Sequence, residues 1–323
     1  MKNAFCLLLL IAASCVFVAA QSAWIARTKP INGDLIAVFF TSAEKGWVAG
    51  DDGYLASTND GGTTWTRVPL NTTESINEIY FRNDDNGYLV AGRKFFITRD
   101  GGRTWQDIRI YRTGEFGGSR PEFLSIRFSD KKRGYVIGSV LRENGDDDVV
   151  VDSLLMRTED GGDTWRRIIV PTKTELFHLD FNGSSNGWIV GDNGVILASA
   201  DSGSTWSKQD SGTRMPLYNV EFRDDREGYA VGKTGTILRT SNGGSTWERV
   251  ATNFRDVLMR VDFADDKNGW IVGHGGSILR STDKGRTWIR QESGTRSHLY
   301  GLYMDKKFGW AVGAKGTVLY FKR

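Results

Sequence analysis

Three carboxylates, Asp180, Glu221 and Asp262, recur at intervals of 41 residues, each at the same place in a β-rich stretch. Paired carboxylates are what glycoside hydrolysis requires, one as acid and one as base or nucleophile. A glycan-binding or glycoside-hydrolase-like protein is therefore one reading of this chain. Arg127 holds the same place one repeat earlier, and Arg223 and Arg260 share the carboxylates' strand parity. Ion pairing, or the lining of a wet central channel, explains the carboxylates without any substrate, and this structural account is the simpler. His178, His274 and His298 fall in different repeats without ligand spacing, so neither a metal nor another cofactor is expected. No phosphate-cradling Gly loop, nucleophile elbow or Cys/His dyad is present.

The most specific pattern is Ser/Thr-x-Asp-x-Gly-x-Thr-Trp, as in Ser281-Thr-Asp-Lys-Gly-Arg-Thr-Trp288. It recurs around Asp60, Asp100, Asp160, Asp201, Asn242 and Asp283, with Trp mostly 40 or 41 residues apart. A short carboxylate accepts backbone N–H bonds across a turn, Gly supplies unusual dihedrals, and the Thr hydroxyl pins the turn. Asn242 in one copy suits a hydrogen-bonding role better than a charge-dependent or metal-binding one. The frame is thus read as structural.

These residues must be positioned by repeats of propeller size. In the fifth repeat, Leu217–Arg223, Tyr229–Gly232, Thr236–Thr240 and Glu248–Val250 read as four short strands, A to D, joined by tight turns. Each strand B opens with Gly and an aromatic residue: Trp47, Tyr88, Tyr135, Trp188, Tyr229, Trp270 or Trp310. That makes seven units. The chain ends during the third strand of the seventh, and Ser22–Arg27, carrying Trp24, has the spacing of its missing fourth strand. The expected fold is all-β: a single seven-bladed propeller over residues 21–323, closed by the N-terminal strand. All eleven tryptophans occupy repeat positions, seven in strand D and four in strand B, which leaves none for a sugar-stacking platform.

The longer gap between Trp105 and Trp165 holds two insertions. One, Ile110–Pro121, lengthens a D–A link; the other, Leu141–Asp152, carries Glu143, Asp146, Asp147 and Asp148 between strands B and C. A meander sends its D–A and B–C connections to one face, so both insertions mark that face as the binding face. Ser211-Gly-Thr-Arg214 and Ser293-Gly-Thr-Arg296 repeat in D–A links, with Arg255 and Lys173 in the equivalent place and Arg112 and Arg120 in the inserted link. Together they form a candidate basic arc for a partner protein, since Arg recognises carboxylates through forked hydrogen bonds. Copied, merely solvated arginines are the alternative, and the acidic insertion opposes the arc.

A net charge of +3 argues against a general nucleic-acid binder. Lys2, the apolar run Ala4–Ala20 and the small residues Val18-Ala19-Ala20 read as a signal peptide, residues 1–20, cut before Gln21. Both cysteines, Cys6 and Cys15, lie within it, so the mature chain has no disulfide and, once cleaved, no stable membrane span. Cys15 as a lipid-anchor site is the weaker reading, because Val16-Phe17-Val18 follows it. Export to periplasm, extracellular space or thylakoid lumen follows, as a monomer.

The units Gly228–Thr240 and Gly269–Ser281, with the seven-fold count, resemble the photosystem II assembly and stability factor family, over Ser22–Arg323. The resemblance implies a lumenal propeller that binds the precursor of a reaction-centre core protein without catalysis. It also implies an arginine-rich surface, to which Arg214, Arg255 and Arg296 correspond in character. There is no plastid-type transit peptide. The sialidases of the broader frame group use an arginine cluster and an early Arg-Ile-Pro segment absent here; the similar endoglucanases use two propellers. Intact-mass measurement of the exported protein should give a chain beginning at Gln21; a retained leader or a lipid adduct on Cys15 would contradict the cleavage reading.

Overall fold

The computed structural model describes residues 24–145 and 147–322; residues 1–23, which include the expected signal peptide, and Asp146 and Arg323 lie outside the described residues. Seven antiparallel sheets of four strands each are stacked in sequence around a central axis. In the fifth blade the strands are A (Leu217–Phe222), B (Gly228–Gly232), C (Thr236–Thr240) and D (Glu248–Arg249). Strand D is short, and its Trp immediately precedes it.

The Gly-aromatic pairs explain how blades join. The strand-B aromatic of one blade lies on a Phe that ends strand A of the next: Trp188 on Phe222, with centroids 3.4 Å apart, and Trp310 on Phe40 at 3.5 Å. The frame Trp of that second blade meets the same Phe edge-on, as Trp247 does Phe222 at 89°. A Cβ at Gly228 would overlap the Phe222 ring, so strand B has room for the joint only with Gly there. Blade seven substitutes Met304 for Phe, and there Trp24 and Trp270 pack against Phe321 instead. Each aromatic pair adds about 0.5–1.5 kcal/mol beyond the area it buries.

The Asp frame closes the C–D turn. The Thr58 hydroxyl donates to Asp60 Oδ1 at 2.8 Å and accepts from Gly62 N at 2.9 Å. Thr64 donates its N–H to Asp60 Oδ1 at 2.9 Å and its hydroxyl to Oδ2 at 2.6 Å. The bonds from Thr64 hold the Asp60 carboxyl at about 2. At Asn242 the backbone bond from Thr246 persists at 2.9 Å, while the amide now donates to the Thr246 hydroxyl. The amide reproduces the network with one bond reversed.

The ring closes as an N-terminal strand, Ile25–Ala26, pairs with the C-terminal Thr317–Lys322. The two faces are separately tied. On one, B–C turns bond to D–A links, as from Gly235 N to Asp256 O at 2.8 Å; on the other, C–D turns bond to A–B loops, as from Gly243 N to Arg226 O at 2.9 Å. The acidic insertion is not a loop. Its residues extend strands B and C of blade three (Gly134–Asn144 and Asp147–Thr158) into a ribbon, because the β-branched run Val149-Val150-Val151 favours extended, paired backbone. The inserted D–A link rests beside it, with Arg120 registered against Leu141.

Asp201→Asn should keep most of the turn network, whereas Asp201→Ala should destabilise the protein by about 1–2 kcal/mol. Urea denaturation of both variants separates the outcomes; equal losses would mean that charge, not hydrogen bonding, holds the turn.

Candidate functional site

Every strand A has a bulge that leaves one residue without a partner in strand B: its second residue in six blades, and Leu124 in the longer strand Arg120–Phe128 of blade three. A bulge re-aims a side chain, and here it turns one residue per blade towards the axis. Ile36, Asn77 and Leu124 come from blades one to three, Phe177 and Tyr218 from four and five, Met259 and Tyr300 from six and seven. They form a half-buried ring around a mouth of about 320 Å³ on the D–A/B–C face. Phe177 and Tyr218 touch at 5.3 Å between centroids.

Beneath the ring lie two polar tiers around a cavity of about 280 Å³. The upper tier includes Glu78, His178, Asn219 and Arg260; the lower includes Arg127, Asp180, Glu221, Asp262 and Tyr303. Many of these side chains reach across to the backbone of the next blade. Glu78 Oε2 accepts from Ile126 N at 3.0 Å and Asn219 Oδ1 from Val261 N at 2.9 Å. Asp180 Oδ2 accepts from Phe222 N at 2.8 Å and Asp262 Oδ2 from Met304 N at 2.7 Å. Each bond pins two innermost strands together.

Glu78 also accepts from Arg127 Nη1 at 2.6 Å and from the Ser125 hydroxyl. Burial would raise its carboxyl, but Arg127 and His178 outweigh burial and hold it well below its ordinary value. Burial drives His178 down to about 4, so its ring is neutral at pH 7, with Nε2 3.1 Å from Arg127 Nη2. Glu221 differs from its neighbours, because it makes no hydrogen bond among the described residues. Burial first, then the charges of Asp180 and Asp262, raise its carboxyl well above the ordinary range. Burial likewise pushes Asp262 up to about 7. Arg223, grouped with these carboxylates by parity, lies outside the channel, where it bonds the Asp266 carbonyl and faces Glu227 at 3.8 Å.

Arg214, Arg255, Arg296 and Lys173 are exposed in their D–A links and make no ion pair among the described residues. Arg112 is exposed in the inserted link, its backbone N–H donating to Glu115 at 2.8 Å. Arg120 is different: the ribbon brings Asp148 onto its guanidinium. The B–C turns add Arg93, Lys233 and Lys315 to the same face, cations that a search of the D–A links alone leaves out. His274 and His298 come together there too, stacked at 4.3 Å. The apolar ring was equally missed. Its trace in sequence is a doublet such as Leu217-Tyr218 or Leu258-Met259, which breaks alternation at each strand start.

Among the described residues, no helix is long and apolar enough to cross a membrane and no three or more His, Cys, Asp or Glu form a metal-binding group. Fold and face together define a seven-bladed propeller of Asp-frame repeats whose two ends differ, one built of pinned turns and the other of variable, cation-bearing links. The family model described as photosynthesis system II assembly factor YCF48 matches residues 64–173, 118–217, 162–256, 209–297 and 250–322. The chain belongs to that family. It is 27% identical over 139 residues to the chloroplastic photosystem II stability/assembly factor HCF136 of Oryza sativa subsp. japonica; the match covers 41% of this chain and 30% of that relative. YCF48 from Cyanidioschyzon merolae has a similar structure, with TM-score 0.73, 19% identity, and 93% and 99% of the two chains covered. YCF48 bound to D1 peptide gives TM-score 0.74, 19% identity and coverage of 94% and 100%. The GH74 xyloglucanase from Xanthomonas campestris gives 0.68 at 13% identity, over 92% of this chain and 53% of its own. At these identities the structures share the fold.

The channel carboxylates make stability pH-dependent. Glu221 has a higher pKa folded than unfolded, so its contribution is complete below the ordinary value of 4.5 and is lost as pH rises through the folded value. Glu221→Gln should therefore stabilise the protein at pH 8 by about 1–3 kcal/mol and have little effect at pH 4. Thermal denaturation at both pH values measures this; a variant no more stable than wild type at pH 8 would refute it.

Proposed function

We propose that this protein is an exported, non-catalytic assembly scaffold that captures a partner protein on its D–A/B–C face. The observation that carries the reading is the set of exposed guanidinium groups at Arg214, Arg255 and Arg296, which make no ion pair among the described residues. Lys173 and Arg112 extend the arc, and Arg120 orders the acidic ribbon at its edge. Unpaired arginines on one face suit a carboxylate-bearing segment, because each offers a fork of donors whose hydration is weak. The family assignment supports the same reading, as does a fold relative seen with a D1 peptide. In a photosynthetic host the partner is a reaction-centre protein precursor, met in the thylakoid lumen; in any other host it is an exported or membrane protein met in the periplasm or outside the cell. The scaffold acts as a monomer, since ring closure completes blade seven and only short outer strands are left as sheet edges.

The glycoside-hydrolase reading is weaker. Asp180 and Asp262 already accept backbone N–H bonds from the next blade, which leaves Glu221 as the one unbonded carboxylate of the three. Hydrolysis needs two carboxylates free to serve as acid and as base or nucleophile.

A D1 peptide titrated against the protein by fluorescence anisotropy tests the proposal. The combined Arg214→Ala, Arg255→Ala and Arg296→Ala variant should bind about 10–100-fold more weakly, with a shallower salt dependence. Unchanged affinity in a normally folded variant would overturn the arc as the capture site.

A further inference from the structure

The ringed mouth has a feature that the arginine arc does not explain. Arg260 lines both the mouth and the polar cavity below it, so its side chain stands between the two. It makes no hydrogen bond or ion pair among the described residues. Its nearest anionic candidate in the upper tier is committed elsewhere: Glu78 is taken by Arg127, the Ser125 hydroxyl and Ile126 N. Arg260 therefore feels the Glu78 charge without bonding it, and a guanidinium with five N–H donors lines the mouth with none of them bonded among the described residues. Burial, with the repulsion of Arg127, lowers the Arg260 pKa although the nearby Glu78 charge offsets part of the cost, so the guanidinium is left short of stabilisation.

Above Arg260 the walls are apolar and aromatic, chiefly Phe177, Tyr218, Met259 and Leu124. About 320 Å³ is the size of a small-molecule site, and an apolar enclosure with one placed charge is its usual chemistry. The rim carries two carboxylates, Asp34 and Asp51, on the blade-one side. Asp34 accepts from Lys315 N at 2.9 Å and Asp51 from the Ser75 hydroxyl at 2.9 Å, so both are fixed in place. They repel an anion at the rim, while Arg260 attracts one.

We infer that the mouth of the central channel is a binding pocket for a small apolar carboxylic acid, its carboxylate forked on Arg260 and its hydrocarbon or aryl body held by the ring. This site is independent of the arginine arc, since Arg214, Arg255 and Arg296 do not line it. It therefore stands or falls separately from capture of a partner protein.

Isothermal titration of the full mature chain with 3-phenylpropanoate and with octanoate, each beside its primary amide, tests the assignment. The acids should bind, and the amides should bind at least about tenfold more weakly. Arg260→Met should abolish the difference between acid and amide, while Tyr218→Ala should weaken both; circular dichroism and melting temperature establish that each variant is folded. If Arg260→Met does not fold, the acid–amide comparison on the wild-type protein decides alone. Equal binding of acid and amide, or no binding of either acid up to its solubility limit, would overturn the proposal. A peptide ending in a free phenylalanine that binds at least about tenfold more tightly than phenylpropanoate would also overturn it, reassigning the pocket to a chain terminus.

Discussion

The structure depends on one aromatic joint, repeated around the ring. A Phe at the end of an innermost strand is covered on one side by the preceding blade's aromatic and met edge-on by its own frame Trp. Both partners must come close, and the Gly that opens strand B makes that approach sterically available. Because the same Phe belongs to two contacts, no blade has a complete core by itself. Truncating one such ring would leave a cavity shared by two blades, a change that costs about 3–5 kcal/mol for a buried Phe. The Asp frame serves this joint by fixing the turn from which Trp projects.

The axis obeys a different constraint. Innermost strands crowd their polar side chains into a space too narrow for bulk water, so each charge needs a local partner. The protein meets that need by aiming carboxylates and amides at the next blade's backbone N–H groups, as Asp180 does at Phe222. Electrostatics and fold are thereby the same structure in the lower tiers. Among the described charged side chains of the two tiers, Glu221 and Arg260 stand outside the network of hydrogen bonds. Functional sites in rigid scaffolds are expected where such local conflicts persist.

Much of this was legible from residue types. The Gly-aromatic pairs count blades because the joint they build is obligatory, and the Asp frame announces its own turn because its bonds span only four residues. Trp24 revealed closure through spacing alone. Less accessible were contacts between residues one repeat apart, since a carboxylate's backbone acceptor role at distance 42 leaves no local pattern. The bulge ring was hidden for a related reason: an apolar doublet such as Leu217-Tyr218 looks like a continuous buried strand until register is known. Arg120 read as a free cation because its neutralisation requires Val149–Val151 to fold as ribbon rather than loop. Exposure of Arg214, Arg255 and Arg296 followed simply from their place in Gly- and Thr-containing links.

Ring closure also has a consequence in time. The strand Ile25–Ala26 is synthesised nearly three hundred residues before its partner Thr317–Lys322. Until blade seven is made, Phe40 lacks the Trp310 ring that covers it and the growing molecule remains an open arc. Loop closure over nearly the whole chain costs only logarithmically more than over a short one, so a strand of two residues is enough of a latch. Elsewhere consecutive blades are linked by unbroken chain; blade seven is held to blade one through that latch. The latch thus sets the one seam at which a finished ring can open without breaking a peptide bond, and the seam runs beside Asp34 and Tyr300 at the rim of the mouth.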